Sequence, residues 1–135
     1  MSNSILKISD LNQYYGESHT LWDVSMDINA GTCACLMGRN GMGKTTLLKS
    51  IMGLLPIESG KIEFDGQDIA KLPADKRAHI GIGYVPQGRE IFGQLTVEEN
   101  LQIGLQANQR YQYQTIEILQ LIHVGYPVIF SNSVR

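Results

Sequence analysis

Apolar and polar side chains alternate along two stretches near the start of the chain, residues 5–11 and residues 21–28. Alternation with a period of two is typical of strands that bury one face and expose the other. We therefore predict two β-strands joined by a turn near Gly16, and a shorter strand at residues 61–64 that leads into a hairpin turn. On the second strand the predicted inward side chains are Val24, Met26 and Ile28, and the predicted outward ones are Asp23, Ser25 and Asp27.

Two further stretches, residues 32–37 and residues 80–85, are apolar and carry no charge. Both predict strands, and the first is typical of a strand with both faces buried. Cys33 and Cys35 lie on this first run, so we predict two small buried side chains on the same strand face. No His or carboxylate lies beside them in the sequence, and we therefore expect no metal or redox role.

The apolar spacing becomes helical after residue 46, and Gly53 is a typical helix end. A proline at position 73 predicts the start of a short helix, and Thr96 with Glu99 fits a capping box that begins a third helix. Strands and helices along one chain predict an α/β fold. The predicted apolar face of the first helix consists of Leu47, Leu48, Ile51 and Met52.

Residues 38–46, which we call the phosphate loop, fit the pattern G-x-x-x-x-G-K-[ST]. Its glycines permit backbone angles and close approaches that a Cβ would block, so that N–H groups turn inward as an anion-binding nest. Lys44 is suited to the β- and γ-phosphates, and the Thr45 hydroxyl to Mg²⁺. A glycine-rich turn without a ligand is the competing interpretation, but it gives the Lys-Thr pair no packing role. The predicted binding residues are Gly38, Arg39, Asn40, Gly41, Met42, Gly43, Lys44, Thr45 and Thr46.

Size and charge limit the possible classes of protein. At 135 residues the chain is one domain at most, and its 43% hydrophobic residues suffice for a core. A net charge of −2 gives no electrostatic reason to expect a nucleic acid partner. No run of 18 apolar residues is present, so we expect no direct membrane insertion, and the start of the chain lacks the apolar core of a signal peptide.

Over roughly residues 5–109 these motifs resemble the ATP-binding subunits of ABC transporters. Tyr15, beside Gly16, is similar to the aromatic residue of the family's A-loop, which stacks on adenine. The phosphate loop resembles the family's Walker A motif. Gln87, which follows a Tyr-Val-Pro run, resembles the Q-loop glutamine, which reaches Mg²⁺ and the water near the γ-phosphate. Within the family, the phosphate loop and residues 85–92 are most similar to the branched-chain amino acid and urea uptake group, with the urea subunit as the closest resemblance.

The resemblance implies the N-terminal part of a P-loop NTPase, namely an incomplete RecA-like core with an antiparallel β-subdomain. It implies ATP and Mg²⁺ as cofactors, with Thr45 and Gln87 on the metal side. It implies membrane permease subunits and a second ATP-binding subunit as partners, and a cytoplasmic location, peripheral on the inner face of the cell membrane. The implied function is to energise the import of urea or branched-chain amino acids.

The family's later motifs have no match in the sequence, since no Ser-Gly-Gly follows Gln87 and the last carboxylate is Glu117. We therefore assign residues 1–109 to the N-terminal part of an ABC ATP-binding domain, and residues 110–135 to a divergent tail, as in a truncated or frame-shifted chain. Without Walker B carboxylates we assign no catalytic residue. Two functions stay open, an ATP hydrolase coupled to transport and a nucleotide-binding or permease-docking fragment without turnover.

Overall fold

The computed structural model describes residues 4–88, 90–106 and 128–131. Strands β2, β1, β3 and β4 form one antiparallel sheet in that order, and β5 pairs with β6, also antiparallel. The predicted antiparallel β-subdomain is thus confirmed, within an α/β fold. The elements in chain order are β1 (Ser4–Tyr15), β2 (Ser18–Asn29), α1 (Lys44–Met52), β3 (Ser59–Phe64), β4 (Gln67–Asp68), α2 (Ala74–His79), β5 (Ile82–Val85), α3 (Val97–Gln106) and β6 (Val128–Ser131).

The two stretches with alternating side chains form paired strands of the sheet, as predicted. The predicted inward side chains of β2 are half-buried against the core, and its predicted outward side chains are exposed. Both strands are longer than predicted, because cross-strand pairing continues to Tyr15 and Ser18 at the turn. One hydrophobic cluster joins the sheet to α1 and β5. Its buried members are Ile5, Leu6, Ile8, Leu11, Leu21, Leu47, Ile51, Met52, Ile62, Phe64, Ile69 and Ile82.

Residues 32–37 contradict the prediction of a buried strand. The chain has no regular secondary structure from residue 32 to residue 39, and all of these residues are exposed. A strand needs a neighbour for its ladder hydrogen bonds, and no strand within the described residues pairs with this segment. Cys33 and Cys35 are therefore exposed free thiols, and the prediction that they are buried is wrong.

Helix α1 begins within the phosphate loop and ends at Gly53, as predicted. Gly53 has a φ of 76°, and its N–H donates to the carbonyl oxygen of Ser50 at 3.1 Å. Leu54 donates to the carbonyl oxygen of Lys49 at 2.9 Å. These bonds satisfy carbonyl groups that have no partner inside the helix, and only glycine adopts this left-handed conformation without a steric cost.

The segment from α2 to β5 leads to Gln87. Pro73 is the residue before the first turn of α2, and β5 ends at Val85, directly before Pro86. Ile82 is buried and Tyr84 packs against the core. Among the described residues, none forms a hydrogen bond with the buried Tyr84 hydroxyl, and burial raises the pKa of this group. Packing of Ile82 and Tyr84 therefore fixes β5, and Gln87 lies two residues beyond the end of this strand.

The predicted division between residues 1–109 and residues 110–135 stays a prediction. Most of the predicted tail lies outside the described residues. The exception is β6, whose residues pair with β5 from Val85–Val128 to Ile82–Ser131.

Candidate functional site

The phosphate loop leaves the N-terminus of α1 open. Gly43 is the residue before the first turn and has a φ of 88°, and no side chain caps the helix. The first intrahelical hydrogen bond is donated by Leu47 to the carbonyl oxygen of Gly43 at 2.9 Å. The N–H groups of residues 44–46 precede it and have no acceptor in the helix. No acidic residue lies in the first turn, so these N–H groups and the positive end of the helix dipole are available to an anion.

Strand β2 determines where this helix begins. A Cβ on Gly43 would lie 2.9 Å from Cδ2 of Leu21 and 3.4 Å from the carbonyl oxygen of Thr20. Contacts under 3.0 Å are not formed by real Cβ atoms. Gly43 therefore serves both the left-handed turn and a close approach to β2.

Lys44 folds back over the phosphate loop. Its Nζ lies 2.5 Å from the carbonyl oxygen of Gly38 and 2.8 Å from that of Arg39. The ammonium group, which has three N–H donors, thus connects the end of the loop to its beginning. This contact holds the positive charge on the loop.

The other predicted loop residues differ in exposure. Residues 38–42 are exposed, and Thr45 is half-buried. Thr46 is buried, and its carbonyl oxygen accepts a hydrogen bond from the Ser50 hydroxyl at 2.8 Å. Thr45 is consequently the more accessible of the two hydroxyl groups, and its role as a metal ligand stays a prediction.

Tyr15 lies at the end of β1, on the hairpin that the phosphate loop contacts through β2. Tyr14 stacks on His19 with ring centroids 4.1 Å apart, and His19 stacks on Trp22 at 3.6 Å. Tyr15 is 48% exposed and, among the rings that the structure describes, stacks on none. Its ring face is therefore available to a ligand, whereas that of Tyr14 is engaged.

Gln87 is exposed in the loop after β5. Within residues 4–88 and 90–106, no hydrogen bond joins its side chain to the phosphate loop. The structure thus brings Tyr15 and the phosphate loop to one hairpin, and it shows no direct contact between Gln87 and that loop.

Asn100, which no sequence pattern marked as functional, organises the segment after Gln87. Asn100 Oδ1 accepts a hydrogen bond from the backbone N–H of Phe92 at 3.0 Å. Its Nδ2 donates to the carbonyl oxygens of Phe92, Leu95 and Thr96 at 2.9 to 3.2 Å. An asparagine inside a helical pattern gives no sign of these contacts, since they depend on how the preceding loop folds back.

The predicted capping box before α3 is confirmed. The Thr96 backbone N–H donates to Glu99 Oε2 at 2.7 Å, and the Glu99 N–H donates to the Thr96 hydroxyl at 3.2 Å. The pKa of Glu99 lies below its ordinary value. The larger cause is the hydrogen bond from the Thr96 backbone, and the smaller is that from the Thr96 side chain. Phe92, before this box, is 61% exposed.

Two features are absent from residues 4–88, 90–106 and 128–131, a cluster of metal ligands and a membrane-spanning helix. No group of three or more His, Cys, Asp or Glu side chains is placed to hold a metal ion. No described helix is long and apolar enough to cross a membrane.

Comparison with known proteins gives consistent matches. A family model described as ABC transporter matches residues 21–130. The chain is 46% identical over 100 residues to a probable branched-chain amino acid transport ATP-binding protein, LivF, of Archaeoglobus fulgidus, covering 74% of this chain and 42% of the relative. It is 44% identical over 103 residues to the lipopolysaccharide export system ATP-binding protein LptB of Haemophilus influenzae, covering 76% and 43%.

The fold is also similar to that of a solved ATP-binding subunit of an ABC transporter. The TM-score is 0.64 at 30% identity, over 77% of this chain and 42% of the other. The chain spans a little under half the length of these relatives. The family match extends to residue 130 and so includes part of the segment assigned to a divergent tail.

Proposed function

This chain belongs to the ABC transporter family, and we propose that it is the nucleotide-binding part of an ABC importer that energises solute uptake with ATP. The observation that carries the proposal is the phosphate loop at the open N-terminus of α1. Unbonded N–H groups, a left-handed glycine and the folded-back Lys44 meet there, and no described side chain caps the helix at this position. This donor set fits a nucleoside triphosphate with Mg²⁺.

We assign the nucleotide contacts to the predicted residues. The N–H groups of residues 43–46 bind phosphate oxygens, and Lys44 moves from the carbonyl groups of the loop to the β- and γ-phosphates. Thr45 and Gln87 lie on the metal side, and Tyr15 stacks on the base. When bound, ATP supplies the transferable phosphoryl group and Mg²⁺ offsets the charge of its oxygens.

Similarity to known proteins limits the candidate solutes. We propose branched-chain amino acids or urea, and the resemblance to LivF supports the first. LptB, named for lipopolysaccharide export, shares nearly the same degree of identity. Overall identity therefore does not separate systems with different cargo, and we propose that the permease is the part that selects the solute.

We further propose a membrane permease and a second ATP-binding subunit as partners, which places the protein on the inner face of the cell membrane. The exposed apolar side chains after Gln87 support a docking role for this segment. Ile91 is 72% exposed and Phe92 61%, and both lie in the loop that Asn100 holds in place.

The second candidate function is nucleotide binding or permease docking without turnover. It is favoured by the exposed apolar side chains of Ile91 and Phe92, which suit a docking role that requires no hydrolysis by this chain.

Isothermal titration with MgATP and a steady-state ATPase assay test both candidates. We expect wild-type binding, and at least a tenfold loss in Lys44→Ala, because a charged hydrogen-bond donor to phosphate is removed. Lys49→Ala, the same change in the last turn of α1, is the matched control and keeps its affinity. Turnover that Lys44→Ala abolishes supports the hydrolase, binding without turnover supports the second candidate, and no binding by the wild type contradicts both.

A further inference from the structure

The side chain of Arg77 joins the end of α1 to the chain that precedes α2. Arg77 is only 3% exposed. Its Nη1 donates to the carbonyl oxygens of Ser50 at 2.8 Å and Ile51 at 2.7 Å, both in the last turn of α1. Its Nε donates to the carbonyl oxygen of Leu72 at 2.7 Å, and its Nη2 to that of Ala70 at 3.0 Å. One guanidinium group thus holds together two segments that are remote in sequence.

The charge of this guanidinium is buried against backbone carbonyl groups. Within residues 4–88 and 90–106, no carboxylate forms a salt bridge with Arg77. Burying a charge is costly unless it is paired or fully hydrogen-bonded. Here the carbonyl groups at the negative end of the α1 dipole supply the compensation. Burial lowers the pKa of Arg77, although arginine stays charged in proteins.

Gly53 provides the space for this contact. A Cβ on Gly53 would lie 2.9 Å from Nε and 3.0 Å from Cζ of Arg77, and 3.3 Å from the backbone nitrogen of Ala74. The guanidinium therefore occupies the volume that any other side chain would need at the end of α1. Arginine is also specific here, because its planar set of donors reaches four carbonyl groups that a single ammonium group does not span.

The contact connects the two parts of the candidate site. Helix α1 begins at Lys44 in the phosphate loop, and a rigid helix of nine residues is about 13 Å long, so fixing one end fixes the other. Gln87 follows Arg77 by ten positions, and the intervening β5 is held in the core by Ile82 and Tyr84. Within the described residues no direct hydrogen bond joins Gln87 to the phosphate loop, so the packed elements between them are available to set their spacing.

We propose that Arg77 is a positioning residue that sets the distance between the phosphate loop and Gln87 by clamping the C-terminal end of α1 to the segment before α2. The proposal rests on the proposed function, because the position of Gln87 matters only when a nucleotide and Mg²⁺ bind. It predicts that Arg77 affects the metal-dependent part of nucleotide affinity and leaves the affinity for metal-free ATP nearly unchanged.

A double-mutant cycle on the full chain tests this. MgATP and ATP with EDTA are titrated into the wild type, Arg77→Lys, Gln87→Ala and the double variant. We expect each single variant to weaken MgATP binding about tenfold and ATP–EDTA binding less than threefold. Gln87→Ala should add less than twofold in the Arg77→Lys background, because its contact is already lost. Lys76→Met, which alters an exposed residue of the same helix, is the matched control with no effect.

The outcomes separate the two proposals. If the wild type binds neither form of ATP, the proposed function fails. If the wild type binds and the two substitutions act additively, or if Arg77→Lys weakens both forms of ATP equally, Arg77 has only a structural role and the inference is wrong.

Hydrogen exchange of the wild type tests the inference even where Arg77→Lys does not fold. Saturating MgATP should slow exchange at least threefold in both Lys44–Met52 and Ala74–His79, whereas ATP with EDTA should slow it only in the first. If MgATP leaves the exchange of the second segment unchanged, the clamp does not connect the two loops.

Discussion

Gly43 lies so close to Leu21 that a Cβ at position 43 would sit 2.9 Å from Leu21 Cδ2. This contact joins the start of α1 to β2, and it sets the phosphate loop beside the hairpin that carries Tyr15. The glycine that the binding pattern requires for an anion nest is thus also required for packing against the sheet.

Gly43→Ala should lower the free energy of unfolding by about 3 kcal/mol or more. The left-handed backbone conformation of an alanine accounts for about 1–2 kcal/mol of this loss, and the clash of its Cβ with Leu21 accounts for the rest. Gly41→Ala separates the two effects, because Gly41 has a similar φ of 82° with nothing within 4 Å of a Cβ. Its cost should be about 1–2 kcal/mol. Urea denaturation gives both values, and equal costs would show that the contact with Leu21 is unimportant.

Tyr15→Ala should weaken ATP binding about tenfold, since a base loses its stacking partner. Binding of inorganic tripolyphosphate, which has no base, should stay within twofold of the wild type. Tyr14→Ala is the control, because the Tyr14 ring is already stacked on His19. Titration calorimetry with both ligands distinguishes the two tyrosines, and a larger effect at Tyr14 would reassign the stacking residue.

Asn100→Ala should loosen the loop before α3, because four hydrogen bonds between its side chain and the loop backbone are lost. We expect faster hydrogen exchange at the Phe92 amide and a loss of about 1–3 kcal/mol in the free energy of unfolding. Gln102→Ala, on the same helix, removes only a 3.4 Å contact with Glu98 and should cost less than about 0.5 kcal/mol. An unchanged Phe92 exchange rate would contradict the role of Asn100.

The capping box should give a pH-dependent contribution to stability. The pKa of Glu99 is depressed in the folded state from its ordinary value of 4.5. The ionised form is therefore favoured by folding, so its contribution is fully present above pH 4.5 and is lost as the pH falls through the folded-state pKa. Melting temperatures of the wild type and Glu99→Gln should differ at pH 6 and converge at low pH. A difference that persists unchanged at pH 2.5 would exclude the charge of Glu99 as the cause.

The local features of the fold follow closely from the sequence. The alternation in residues 21–28 predicts which side chains of β2 face the core, because the strand period of two fixes the face of every residue once one is buried. Gly53 and the Thr96–Glu99 pair mark their helix ends through backbone hydrogen bonds that involve only near neighbours. The residues of the phosphate loop are likewise a local pattern, since the nest is built from consecutive N–H groups.

Long-range contacts account for two features that the sequence did not predict, the exposure of residues 32–37 and the contacts of Arg77. An apolar run becomes a buried strand only if other strands pair with it. Residues 32–37 have the composition of a buried strand, but they form no strand in the structure. In the sequence, Arg77 resembles any other polar residue of a short helix, because two of its four acceptors, the carbonyl oxygens of Ser50 and Ile51, lie 27 and 26 positions away. By itself, the sequence determined the local elements and the ligand class that the phosphate loop suits. The tertiary structure decided which segments are buried and how α1 is held against β2 and Arg77, because such contacts arise only when distant parts of the chain pack together.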